Sequence, residues 1–217
     1  MKKNTNLTNI IRRTVREISK LRFSFLTKKE DVKIIDYSDN KNKMSKNELN
    51  KNNNLIFGEL THSAEIQINM SDLVIEFKCF YSGETEKKMI RAQYGDIDIA
   101  DDEAQTFLAE FCNLVAGSLK NILQDSFECL KCQKNHLTIP KVVDNINFND
   151  FIPEKMKNDS WLLKCEDYFI VCSIVIQFKK AKTISIINHE IKNKEAEIVF
   201  SDNGGEIIYT NKYINKN

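Results

Sequence analysis

The sequence predicts an α/β protein of the α+β kind, with long helices layered on a mainly antiparallel sheet. Three observations predict it. Segments 5–22 and 101–123 repeat apolar residues at three- and four-residue steps, the period of a half-buried helix. Runs such as DLVIEFKCFY and YFIVCSIVIQF alternate or stay apolar over strand lengths. Short turns separate neighbouring strand patterns, at Met70-Ser71-Asp72 and around Asn203-Gly204-Gly205.

The elements follow in order. Leu7, Ile10, Ile11, Val15, Ile18 and Leu21 form the stripe of helix 5–22, and Thr5, Asn6 or Thr8 can cap its start. Residues 38–54 are almost wholly Asn, Lys, Ser and acid. They hold too little apolar surface to offset their ordering entropy, and a flexible insertion is predicted. From Leu55, LIFGELTHSAEIQINM and DLVIEFKCFY alternate as strands. Gly83 to Tyr94 reads as a short helix with Gly95 as its C-cap. After helix 101–123, LTIP, WLLKCE and YFIVCSIVIQF read as strands and residues 145–160 as a polar connection. EAEIVF and EIIYT form a hairpin within a C-terminal extension, 195–217. One domain spanning 1–217 accommodates all of these.

Composition removes several classes of function. Lys and Arg total 32 against 31 Asp and Glu, which gives no overall electrostatic footprint for nucleic acid or anionic lipid. No apolar stretch follows the first lysines as in a signal peptide. None approaches the roughly 20 residues of a membrane span. A cytoplasmic protein without membrane association is expected. There, six cysteines are reduced thiols rather than a disulfide framework, and Cys79, Cys112 and Cys172 sit in apolar runs as small hydrophobes. Cys129-Leu-Lys-Cys132 with His136 offers three zinc ligands, but no second pair follows at zinc-ribbon spacing, and no metal site is predicted. His62, His136 and His189 are isolated and read as structural or solvated, and Trp161 as core.

Helix 101–123, DDEAQTFLAEFCNLVAGSLKNIL, carries the chemistry. Two aspartates and a glutamate in its first turn suit the positive end of the helix dipole. Ala104, Phe107, Phe111, Leu114, Val115 and Ile122 gather on one side. Thr106, Glu110, Asn113 and Gly117 form a ridge along the nearly opposite side, at steps of four, three and four. Periodicity alone reads that ridge as the solvated side of an ordinary helix. Two features count against this. Asn competes for backbone hydrogen bonds in mid-helix, and Gly costs roughly 1 kcal/mol against Ala there. Both exceptions fall on one ridge, which points to something approaching it closely.

This stretch resembles the signature helix of the CheC, CheX and FliY phosphatases of bacterial chemotaxis. That family has an acid or hydroxyl residue, Glu four later, Asn three after that, then a small-residue turn ending in Lys. Thr106, Glu110, Asn113, Ala116-Gly117 and Lys120 match those positions, and LTIPKVV supplies the family's strand proline as Pro140. The resemblance is strongest over 55–180, with helix 5–22 as the family's first helix. Three departures stand out. Thr106 replaces the usual Asp or Ser, the interval from Asn113 to Pro140 is longer, and the turn's second Asn is absent.

The resemblance implies a CheC-like fold and a phosphatase acting on the aspartyl phosphate of a CheY-like receiver. Catalytic roles fall to Glu110 and Asn113, and partner-binding roles to Thr106, Gly117 and Lys120. The chain is expected to need no cofactor of its own, with Mg2+ residing in the receiver. Helix 5–22 offers only Glu17-Ile-Ser-Lys20 at the second-site position of the CheC branch. A single site on the CheX pattern therefore follows. Homodimerisation through sheet edges is also implied, with the strands after Leu55 expected to provide the edge. The alternative is a non-catalytic binding or assembly module of the same fold, like the middle domain of FliM.

Overall fold

The computed structural model describes residues 7–36, 60–96, 101–127, 130, 134–146, 159–180, 185, 195–203 and 206–214. The 38–54 segment, Cys129, Cys132, His189 and most of the 145–160 connection lie outside them.

Helix α1 spans Leu7–Thr27, beyond the predicted end at 22, because Phe23, Leu26 and Thr27 carry its buried stripe onward. Thr27 Oγ1 donates to the Phe23 carbonyl at 2.8 Å and closes the last turn. Thr8 lies inside the helix rather than capping it. Strand β1 (Lys33–Asp36) follows, too short to show a period of two in the sequence. Strands β2 (His62–Met70) and β3 (Leu73–Tyr81) form the predicted hairpin across Ser71-Asp72. Helix α2 spans Gly83–Tyr94. Ser82 Oγ accepts from the Thr85 amide at its start, and Gly95 (φ 84°) ends it by donating to the Arg91 carbonyl. The left-handed φ explains the glycine there.

Helix α3 spans Asp101–Ser126. After it come β4 (Asn135–Leu137), β5 (Lys141–Asp144), β6 (Ser160–Cys165) and β7 (Tyr168–Phe178). The sheet runs β1-β6-β7-β3-β2, with β4 and β5 end to end along the outer edge of β2, and every pairing is antiparallel. Strands β8 (Glu195–Asn203) and β9 (Glu206–Ile214) pair antiparallel as a separate sheet, with Asn203 opposite Glu206, and the predicted Gly204-Gly205 lies outside the described residues. The strands after Leu55 do not provide a free edge: β2 and β3 are paired on both sides. Among the described residues of this sheet, the outer strands are β1 and the β4–β5 line.

One core holds α1, α2 and α3 on a single face of the sheet. Ile11, Val15 and Ile18 of α1 and Met89 of α2 meet Phe111, Val115 and Leu119 of α3 over Ile66, Ile75, Phe77 and Leu163. Phe77 lies between Phe111 and Trp161, each ring centroid 6.2 Å away. Trp161 is fully buried, as expected of core, and its Nε1 donates to Ser19 Oγ at 3.1 Å. Side chains of opposite parity, such as Phe80 and Val171, join Leu60, just ahead of β2, in a smaller cluster on the other face.

The outer edge of β2 carries one irregularity. Ile68 pairs with Leu137 and Glu65 with Lys141. Two residues of β2 therefore face three of the other strand, Thr138, Ile139 and Pro140, which defines a β-bulge. Thr138 pins it on one side: its N–H donates to the Gln67 carbonyl at 3.0 Å, and its Oγ1 accepts from the Gln67 amide at 2.9 Å. The extra residue changes parity, so Leu137 and Val142 both pack against the helix-side core.

Candidate functional site

The buried stripe of α3 is Leu108, Phe111, Cys112, Val115, Ala116, Leu119, Ile122 and Leu123. The predicted stripe was turned slightly. Phe111, Val115 and Ile122 are central, whereas Phe107 and Leu114 are half-buried flanks. The polar ridge still lies opposite. Thr106 and Glu110 are exposed, and Asn113, Gly117 and Lys120 are half-buried. Asn113 Nδ2 donates to Glu110 Oε2 at 3.2 Å, one helical turn apart. A carboxylate can only accept, so this bond fixes the amide's NH2 toward Glu110 and turns Oδ1 away from it.

Two neighbours define the ridge's surroundings. Arg22 of α1 donates to Ser118 Oγ at 3.1 Å and ties the two helices on one flank. Leu137 of β4 lies near Gly117, where a Cβ would come no closer than 3.9 Å to Leu137 Cδ1. That is ordinary van der Waals distance, so nothing inside the fold demands glycine at this position. Sequence reasoning missed two exposed apolar side chains. Tyr94, 63% exposed, meets Phe107 edge-on at 6.3 Å, and Ile139 on the bulge is 90% exposed.

Other chemically capable groups are enclosed. Cys112 adjoins Asn113 in sequence but faces the core, with its Sγ 3.4 Å from that of Cys79. Burial pushes the Cys112 and Cys172 thiols well above their ordinary range, so both behave as the small hydrophobes expected rather than as nucleophiles. His62 stacks on Tyr81 at 5.5 Å and has Nδ1 2.8 Å from Thr61 Oγ1 and Nε2 3.7 Å from Asp144. His136 is solvated on β4. Glu86 of α2 is only 3% exposed, and burial raises its carboxyl to about 8; the Leu108 amide opposes this, Asp144 reinforces it and Lys87 opposes it. Among the described residues no His, Cys, Asp and Glu cluster could hold a metal ion, and no helix is long and apolar enough to cross a membrane.

A cavity of about 430 Å³ lies along α1, lined by Asn9, Arg12, Arg13, Arg16, Glu17 and Ile34. Arg12 is already paired with Asp159, and Arg16 lies 5.5 Å over the Trp161 ring. On the α3 ridge, in contrast, Glu110 is exposed and bonded to Asn113 of the same helix.

No protein-family model and no curated protein matches the chain. Among solved structures it is similar to a CheC-like superfamily protein from Shewanella sp. PV-4. The two share 13% identity over 80% of this chain and 99% of that one, with a TM-score of 0.51. It is also similar to a chain of the CheX–CheY–BeF3–Mg2+ complex from Borrelia burgdorferi, at 15% identity over 76% of this chain and 96% of that one, with a TM-score of 0.51. The protein shares the α+β fold of these CheC-like and CheX structures.

Proposed function

We propose that this protein hydrolyses the aspartyl phosphate of a CheY-like receiver domain docked on the outer side of α3. The observation that carries the reading is the Asn113–Glu110 hydrogen bond on an exposed ridge. A chain of similar fold occurs in a complex with CheY. Asn113 Oδ1 accepts a proton-bearing bond from a water and holds it in line with phosphorus. The water oxygen bonds to phosphorus as the phosphorus–oxygen bond to the receiver's aspartate breaks. The aspartate leaves with the electron pair, and the water's proton passes to solvent or the released phosphate. An acyl phosphate is already activated, and positioning of this kind can supply several kcal/mol without a strong base.

Glu110 docks the receiver's active-site lysine. Its carboxylate has acceptor sites left beyond the one used by Asn113, so both bonds can coexist. Thr106 and Lys120 flank the docked surface, and Gly117 leaves room for a partner loop. Mg2+ held by the receiver would supply charge neutralisation at the phosphoryl group, and none of the residues assigned here would serve as its ligand. The protein acts in the cytoplasm as a homodimer, joined through β1 or the β4–β5 line. Light scattering tests the dimer independently of the chemistry.

The decisive experiment follows the decay of phosphorylated CheY-like receivers from the source, with and without the protein. Accelerated decay of at least one receiver is expected. Unchanged decay of all of them would remove the phosphatase reading and leave a binding module of the same fold.

A further inference from the structure

We propose that Ile139 is an apolar docking contact for the receiver domain and a specificity-determining residue of the interface. This rests on the reading of α3 as the receiver-docking side. Ile139 is the most exposed of the large hydrophobic side chains described, at 90%. It occupies a bulge that interrupts the pairing of the chain with β2 between Leu137 and Lys141. A bulge at a sheet edge re-aims a side chain, and here the side chain aimed outward is aliphatic.

The position is stiff as well as exposed. Thr138 before it is bonded twice to Gln67, at 3.0 and 2.9 Å. Pro140 after it restricts Ile139 to extended backbone conformations, and a β-branched side chain has little χ1 freedom to lose. An apolar knob held in this way loses little entropy when a partner covers it.

Its location joins it to the proposed site. Leu137, two residues earlier, lies beside Gly117 at one end of the ridge, and the exposed Tyr94 meets Phe107 at the other. The polar pair therefore sits between two apolar points. Apolar contacts around a few polar ones exclude water from them and strengthen them. The partner surface this fits is an aliphatic or aromatic patch beside the receiver's phosphorylation site.

The test measures KM and kcat on a phosphorylated receiver for the wild type, Ile139→Ser and Ile139→Val, with light scattering and thermal melting alongside. Full burial of one aliphatic side chain predicts a KM raised about tenfold to a hundredfold in Ile139→Ser. The expected kcat and melting temperature stay near those of the wild type, and Ile139→Val recovers most of the KM. An unchanged KM in Ile139→Ser beside an active wild type overturns this inference and leaves the roles of Glu110 and Asn113 standing. Loss of a dimer with KM unchanged assigns Ile139 to contacts between copies and also overturns it. A wild type inactive on every receiver overturns both readings.

Discussion

Helices α1 and α3 share one face of the sheet and one core, yet their outer sides are used in opposite ways. On α1, Arg12 is bound to Asp159, with Nη2 2.9 Å from Oδ2, and Arg16 covers Trp161. These side chains reach back to the sheet and brace the helix. On α3, Glu110 and Asn113 bond to each other and face outward. At the Glu–x–x–Asn spacing of α3, α1 has Glu17 and Lys20. A lysine cannot accept a hydrogen bond from water, so α1 lacks the group assigned to the reaction. The same amphipathic construction thus gives a brace on one helix and an available surface on the other.

Short of losing the reaction altogether, the largest effect that would sharpen this contrast belongs to Glu110→Ala. Removing a charge-assisted docking contact is expected to lower kcat/KM on the order of a hundredfold, with binding weakened as well. Retained binding in a receiver titration would show that Glu110 does not dock the partner.

Glu86→Gln sets a buried carboxyl of α2 against the exposed one on α3. Folding raises the Glu86 carboxyl from 4.5 to about 8, so the folded chain keeps a proton that the unfolded chain releases. The stabilisation is complete below pH 4.5 and is lost as pH rises toward 8. The slope is roughly 1.4 kcal/mol per pH unit within that window. A neutral amide removes this slope, so Glu86→Gln is expected to be more stable than wild type at pH 7 by up to roughly 3 kcal/mol. Denaturant melts at pH 5 and pH 7 check it; parallel pH profiles for the two proteins would contradict it.

Arg12→Ala tests the brace. A loss of about 1 kcal/mol in stability is expected from this half-buried ion pair and its one hydrogen bond, with phosphatase activity unchanged. A large loss of activity in a well-folded variant would show that α1 shares in the site. Gly117→Ala should have the smallest effect on the fold. An ordinary van der Waals distance to Leu137 and better helix propensity predict a gain of at most about 1 kcal/mol, together with weaker receiver binding. Unaltered binding would mean that no partner approaches this turn.

Much of this was legible in sequence because the relevant signals are periodic. The ridge of α3 follows from residue spacing, and the β2–β3 hairpin, α2 with its Gly95 cap and the β8–β9 hairpin follow from local pattern and turn chemistry. The end of α1 was missed because Phe23 and Leu26 continue its stripe beyond Leu21. Strand β1 has too few residues to show alternation and gains its place by pairing with β6. The bulge was illegible for a different reason. It exists only relative to the β2 register, a non-local fact, and with it the exposure of Ile139 was hidden. The Asn113–Glu110 bond is a matter of rotamers, which spacing permits but does not specify.

The most direct test of the central claim compares wild type and Asn113→Ala on a phosphorylated receiver in single turnover, with binding measured in parallel and circular dichroism as the control for folding. The account predicts that the variant folds and binds the receiver nearly as wild type does, while decay falls back to the receiver's own rate. If Asn113→Ala keeps full activity on a receiver that the wild type dephosphorylates, Asn113 does not orient the attacking water, and the ridge of α3 is a docking surface alone.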